Sequence, residues 1–418
     1  MKLFALEKDE VDINDTNDVE MNLLINDKEL EEAIGQVEQA KVAIEELNLL
    51  TQSLLDKKVS LEYAVMQIDH IYSRIGLKSV NTSVAVENIN DLPYDVVLED
   101  VLDTIKRGIS RIANGFIGID DFISNKLAVA IRNLKAAIGG IESSIVKTEG
   151  MVNSVPEKAN GIFGIRKNIS YELQTKNGKM LDFKATEEII TNHISILENF
   201  NRHKELISEL NKYDLDEYRE LLEKALKDDL TEKEKSSFTQ KQKEQVEELR
   251  KIYKTFKGFV GKPLGRGKSL YIQFDEKVAD RFVYYKDVFQ FNIVTLLGME
   301  PPKEAKQLNQ REAKELAKYL RDLKELYLRT EDFIANITFI RQKRLKAYFG
   351  AGLFATIGAA IPSTGIGFIS FIFSIIHGLL FYYYSILIVI RELGVTSTSL
   401  CYNVIKGTTR YIERSAKA

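Results

Sequence analysis

The sequence predicts a mainly α protein: an elongated helical bundle or coiled coil with a small β-containing middle and a C-terminal hydrophobic helical hairpin. Three observations carry this. Apolar residues recur at spacings of three and four over long stretches, and only 6 prolines interrupt the 418 residues. An Asn-Gly pair and aromatic, β-branched runs are confined to residues 151–300. From Ala347 to Ile390 there is no Asp, Glu, Lys or Arg, although 28% of the chain is charged.

Composition narrows the function classes. A mean hydropathy of -0.17 excludes a polytopic membrane protein and leaves room for one local membrane element. Cys401 is the only cysteine, so no intrachain disulfide forms and a secreted disulfide scaffold is excluded. The net charge is -3, but residues 1–50 hold 14 acidic and 4 basic side chains, or -10, so the remainder carries +7. Residues 1–28 therefore read as an acidic flexible arm, a solvated tail or a docking segment. The start MKLFALEKDEVDIND has no apolar core of signal-peptide length, so a cytoplasmic start is expected.

The elements follow in order. Residues 29–150 read as an amphipathic helical domain. Ile34, Val37, Ala40, Ile44 and Leu47 mark its first helix; after Lys57 and Lys58 a second opens at Ser60 and ends at Gly76. Beyond Pro93 the series Val97, Val101, Ile105, Ile109, Ile112, Ile119, Ile123 and Leu127 continues to Ile145 with an interruption at ANGFIG, the strongest periodic signal in the chain. Residues 151–300 read as a mixed helical region: Asn177-Gly178 predicts a hairpin between runs around Tyr171, Leu173, Met180 and Phe183, helices cover 186–200 and 204–227, and 258–297 adds strands. Pro301-Pro302 opens a stalk over 301–346, a helix from Lys303 to Lys346 with the stripe Leu316, Leu320, Leu323, Tyr327, Ile334, Ile337 and Ile340. A C-terminal helix covers 391–418.

Little in the chain supports catalysis. In GKPLGRGKSL a phosphate-binding loop would need a glycine where Lys262 stands, and LYIQF after it reads as a strand where that motif requires a helix; the stretch reads as a basic glycine loop joining structural elements. His70, His193, His203 and His377 lack zinc-site spacing, His193 and His203 are poorly placed to face one another, and Cys401 has no evident catalytic partner and reads as a small buried apolar group. No Gly-x-Ser-x-Gly elbow occurs. The expectation is a non-enzymatic protein without cofactor or metal.

The apolar segment 347–390 divides in two. Ala351, Ala355 and Ala359 give its first part a small-residue face suited to close helix packing. Pro362 and Gly365 bracket a turn, and Gly367 to Ile390 is 24 residues, enough for one span. The expected membrane contacts are Phe349, Phe354, Ile357, Ile361, Phe368, Phe371, Ile372, Ile375, Leu379, Phe381, Ile386 and Ile390. Arg341, Lys343, Arg344 and Lys346 precede the segment and Arg391 follows it, an interfacial basic anchor that keeps both ends on the cytoplasmic side. A buried helix pair of a soluble bundle is the competing reading.

The succession of segments resembles the internal head proteins of large-genome tailed bacteriophages with contractile tails. The resemblance lies in ELEEAIGQVEQAKVAIEEL, LLDKKVSLEYAVMQIDHIYSRIGL, VLEDVLDTIKRGISRIANGFIGIDDFI, GKMLDF, QLNQREAKELAKYL and the closing CYNVIKGTTRYIERSAKA. It implies a virion component packaged inside the capsid and ejected with the genome into the host cytoplasm or inner membrane. Its partners would be other virion proteins, host inner membrane lipids and further copies of itself, with no sequence-specific nucleic-acid binding. The charge-free hairpin departs from that family's pattern and favours a protein that meets the host membrane. An α-helical pore-forming toxin and a membrane-anchored helical scaffold share the same features.

Overall fold

Short polar signals set the helix boundaries in the computed structural model, which describes residues 18–76, 93–159, 161–165, 167–176, 180–205, 224, 231–276, 288–296, 299–349, 385 and 387–418. Helix α1 (Asp18–Leu55) stops where Lys57 turns left-handed at φ 54°. Ser60 caps α2 (Leu61–Arg74), its hydroxyl accepting from Tyr63 N at 3.2 Å, and Gly76 at φ 73° closes it. Helix α3 (Tyr94–Val152) runs 59 residues without the interruption expected at ANGFIG. Its glycines cost about 1 kcal/mol each as propensity, and a sustained apolar face outweighs that.

The middle of the chain is built from short pieces: β1 (Ile162–Gly164), α4 (Lys167–Glu172), β2 (Thr175–Lys176), β3 (Met180–Leu181), α5 (Phe183–Arg202), α6 (Glu232–Phe256), a 3₁₀ turn at Lys257–Phe259, β4 (Lys268–Phe274), β5 (Phe289–Thr295), β6 (Met299–Glu300) and β7 (Glu304–Lys306). Two reciprocal capping boxes start long helices. Thr231 and Glu234 exchange bonds ahead of α6, and Asn309 and Glu312 do so ahead of α7 (Gln310–Phe349). The chain ends in a π-helical turn, Arg391–Thr396, running into α8 (Ser397–Lys417).

The fold is mostly helical with small sheets, as the sequence predicts, but the strands pair differently from the expected hairpin. Tyr171 lies in α4, not in a strand. β2 pairs antiparallel with β6, while β3 pairs parallel with β7, whose other edge takes β1. Segments of two or three residues are too short to hold a hairpin by themselves, so each takes a distant partner offered by tertiary packing. β4 and β5 form the one long ribbon among the described residues, seven pairs from Lys268↔Thr295 to Phe274↔Phe289.

The chain makes two compact units, each drawn from separated segments. Unit 1 comprises Met1–Lys126, Lys212–Gln245 and Phe339–Tyr384. In it α1 and α2 pack with Ile44, Leu47, Ala64 and Ile68 buried, and Tyr72 reaches α3, its hydroxyl donating to Thr104 O at 2.9 Å. Gly108 is required at that contact, because a Cβ there would fall inside the Tyr72 ring and hydroxyl. Unit 2 comprises Leu127–Asn211, Val246–Thr338 and Ser385–Ala418. There α7 lies between α3, through Arg321 to Glu149 and Lys324 to Glu142, and α5, through Tyr319 to Glu187 and Asn201 to Thr330. Its stripe residues Leu316, Leu320, Leu323 and Tyr327 are fully buried and Ile334 nearly so, so as far as Ile334 the expected stalk is a core helix. It begins seven residues later than expected, because Glu304–Lys306 is spent on β7.

Candidate functional site at the base of the apolar segment

Most of the expected membrane-contact set, Phe354, Ile357, Ile361, Phe368, Phe371, Ile372, Ile375, Leu379, Phe381 and Ile386, with the turn residues Pro362 and Gly365, lies outside the described residues. Phe349, Arg341, Lys343, Arg344 and Lys346 are positions on the last turns of α7. What the structure supplies is the base from which the segment leaves and to which it returns.

That base is defined by two contacts: the residues just before α7 meet α8, and Ile334 of α7 meets the π-helical turn that leads into α8. Leu308 N, just before α7, donates to Ser415 Oγ at 3.2 Å, and Gln307 Nε2 donates to Ser415 O at 3.1 Å. Near the other end Ile334 packs on Gly394, so closely that a Cβ on Gly394 would stand 2.5 Å from Ile334 Cδ1. Low numbers meet high and high meet low: the two helices run antiparallel within unit 2.

The return is anchored in the core. Leu387, Ile388, Val389 and Ile390 are all buried, Ile390 at 1% exposure. Arg391, expected as an interfacial anchor, is instead 9% exposed and ion-paired to Glu392, Nη1 to Oε1 at 3.1 Å. Glu392 also accepts from Ile293 N of β5 at 2.7 Å. A guanidinium so placed serves the fold, since its removal would leave the Glu392 carboxylate buried without it.

Behind this base stands a polar array that joins three elements. His193 on α5 donates from Nε2 to Leu264 O at 2.8 Å, which fixes Nδ1 as an acceptor, and the Cys401 thiol donates to it at 3.1 Å. Burial is the chief influence on both groups. It holds His193 down to about 4, partly offset by the Leu264 carbonyl, and pushes the Cys401 thiol well above its usual range. Both stay neutral at physiological pH, so the pair makes no thiolate nucleophile. Cys401 does have a histidine partner, which the sequence reading did not find, because 208 positions separate the two.

The glycine loop completes the array. Gly261, Gly265 and Gly267 take φ 75°, 80° and 64°, the left-handed values that favour glycine. At Gly265 a side chain would also meet Glu172 O at 2.6 Å and Val404 at 2.8 Å. Arg266, itself at φ 49°, forks onto Glu172 with Nε to Oε2 at 2.7 Å and Nη2 to Oε1 at 2.8 Å, and its guanidinium lies 5.3 Å from the Tyr171 ring centre. The loop runs directly into strand β4, and Gly265 serves a tight approach to α4 and α8.

Among the described residues no group of three His, Cys, Asp or Glu side chains could hold a metal ion. Likewise none of the described helices is long and apolar enough to cross a membrane. Comparison with protein families, with curated proteins and with solved structures finds no match.

Proposed function

We propose that this is a non-enzymatic helical protein whose segment 347–390 forms a hairpin that contacts or inserts in a host membrane. From the resemblance of its segment order, we propose further that it is an internal virion protein of a bacteriophage, packaged in the head and ejected with the genome. The observation that carries the membrane reading is the 44-residue charge-free run, joined at both ends to the antiparallel base of unit 2.

The base contact supports the hairpin and sharpens its arms. A hairpin closed about the Ile334–Gly394 contact would have its midpoint near 364, inside the Pro362–Gly365 turn read from sequence. Arg344 and Lys346 stand in sequence just before the charge-free run and Tyr382, Tyr383 and Tyr384 toward its end, so both sets would fall on the base side of such a hairpin. This is the composition of a membrane–water interface. Such a hairpin would leave 347–361 and 367–381 as equal arms of 15 residues, about 22 Å each as helix. Against a hydrocarbon core of about 30 Å, such arms fit a thinned bilayer or a shallow insertion.

Two experiments test the two parts. Recovery of the protein from purified, DNA-filled particles is the expected result for the virion reading, and its absence from them refutes it. Flotation with liposomes, together with vesicle-dependent protection of 347–390 from protease, tests the hairpin. Failure to float, with the segment already protected in a soluble monomer, refutes membrane contact. The equal arms also suit an α-helical pore-forming toxin, for which oligomerisation and dye release from liposomes are expected instead.

A further inference from the structure

We propose that the tip formed by the end of α6 and the glycine loop is a docking surface for an anionic phospholipid bilayer. The inference shares with the proposed function the choice of a membrane as partner, and uses a different set of residues.

From Leu249 to Phe274 the chain carries seven basic residues and no acidic one. Arg250 is engaged by Glu247 and Glu276, and Arg266 by Glu172. Lys254, Lys257 and Lys262 are exposed, and no acidic side chain pairs with them among the described residues. Lys254 stands in the last turn of α6, Lys257 opens the 3₁₀ turn that follows it, and Lys262 lies just beyond that turn. The apolar element is interleaved: Lys257 sits 5.8 Å from the Tyr253 ring centre, Lys262 sits 5.1 Å from that of Phe259, and Val260 at the apex is 45% exposed.

The apex is held in place although it is exposed. Lys262 N donates to Phe259 O at 3.2 Å, Gly261 N to Leu270 O at 3.3 Å and Leu264 N to Lys268 O at 2.9 Å. An aliphatic side chain presented on a pinned turn and ringed by exposed ammonium groups matches a surface that is anionic outside and apolar just beneath. Nucleic acid matches less well. Base stacking needs open aromatic faces, but a lysine already occupies a face of both Phe259 and Tyr253, and Val260 offers nothing to a phosphate.

Position argues the same way. Val260 bridges Leu270, Leu270 pairs with Ile293, and Ile293 N is bonded to Glu392. Two strand spacings, about 10 Å, therefore separate Val260 from the strand that contacts the foot of the apolar segment. Docking at the tip would hold the hairpin base beside the same bilayer.

The test uses the full chain in flotation with phosphatidylcholine vesicles, with and without phosphatidylglycerol, at low and high salt. Its variants are the triple Lys254→Glu/Lys257→Glu/Lys262→Glu, the single Val260→Ser, and the hairpin pair Phe371→Asp/Ile375→Asp, each checked by far-UV circular dichroism. The wild type is expected to bind anionic vesicles in a salt-sensitive way. The triple variant should lose on the order of 100-fold in affinity, at about 5-fold per lysine. Val260→Ser should lose about 5- to 10-fold at unchanged salt dependence, and it decides the matter if the triple variant fails to fold. The hairpin pair should keep salt-sensitive binding and lose only carbonate-resistant association, which separates failure of the docking surface from failure of the hairpin reading. Equal binding of the wild type to neutral and anionic vesicles, wild-type binding by Val260→Ser, or tighter lysine-dependent binding to duplex DNA than to anionic vesicles would overturn the proposal.

Discussion

Acid should weaken unit 2 through one side chain, His193. The ring is 0% exposed, donates to Leu264 O and accepts from Cys401, and burial depresses it to about 4 from an ordinary 6.5. At pH 7 it is neutral in both folded and unfolded chains and adds no pH dependence. As pH falls below 6.5 the unfolded chain takes up a proton that the folded chain refuses, so stability falls by about 1.4 kcal/mol per pH unit. The loss saturates near pH 4, where the folded ring also protonates, at about 3 kcal/mol from 2.5 units. Between pH 6.5 and 5, above the range where most carboxylates titrate, the loss is about 2 kcal/mol. Urea unfolding followed by far-UV circular dichroism reads it, since the chain has no tryptophan. His193→Gln keeps a donor for Leu264 but cannot take that proton. It should start less stable, with Cys401 unpartnered, and be flatter by about 2 kcal/mol over this interval. Parallel profiles for wild type and His193→Gln would refute the account.

Other outcomes follow from the same contacts. Glu172→Gln should cost about 3 kcal/mol by leaving the Arg266 guanidinium beside an uncharged partner, and Glu172→Gln/Arg266→Met should recover part of it; strictly additive urea midpoints would count against a coupled pair. Gly108→Ala should cost about 3 kcal/mol through overlap with Tyr72, whereas Tyr72→Phe, losing only the bond to Thr104 O, should cost about 1 kcal/mol. The Cys401 thiol, buried and raised in pKa, should resist a disulfide reagent in the native state and react fully in urea; fast native labelling would mean that α8 opens.

Periodic signals were legible and pairwise ones were not. Ile34, Val37, Ile44 and Leu47 of α1, Val97, Val101, Ile105, Ile112, Ile119, Ile123 and Leu127 of α3, and Leu316, Leu320, Leu323, Tyr327 and Ile334 of α7 are buried, because apolar spacing reports directly on which helix face leaves water. Ser60 was legible as a cap for a similar reason, acting within three residues. The strands were the opposite case: β2 and β3 find β6 and β7 more than 100 positions away, and local turn chemistry at Asn177-Gly178 carries no information about those partners. Separations of 208 and 94 positions hid His193 from Cys401 and Glu172 from Arg266. The glycine loop reads from sequence only as a connector, and the close approach at Gly265 comes from the fold. Local propensity alone predicts a break at ANGFIG, and the apolar face that α3 sustains on either side outweighs it.

Where the membrane part of the second arm ends can be argued from what it would leave behind. Hydrocarbon would receive Leu387, Ile388, Val389 and Ile390 about as readily as the protein core does, so apolar content alone would let the insertion run on to Ile390. Withdrawing them would open a cavity in unit 2 and strip the Ile293 N–H of its Glu392 acceptor, at about 1–3 kcal/mol for the unsatisfied donor. It would also draw Arg391 and Glu392 toward the bilayer, where a charged side chain at mid-depth costs about 3 kcal/mol. Tyr382, Tyr383 and Tyr384 stand just before these residues in the sequence, and tyrosine is a residue of the membrane–water interface. The boundary should therefore fall at the tyrosines, not at the first charge in the sequence. A polarity-sensitive dye tests this on a Cys401→Ser background: at Leu379→Cys it should shift to the blue on adding anionic vesicles, and at Ile388→Cys, the most accessible of the four buried positions at 8%, it should not respond. Quenching of the Ile388→Cys dye by brominated lipid would move the boundary to Ile390 and show that the base of the hairpin dissolves on insertion.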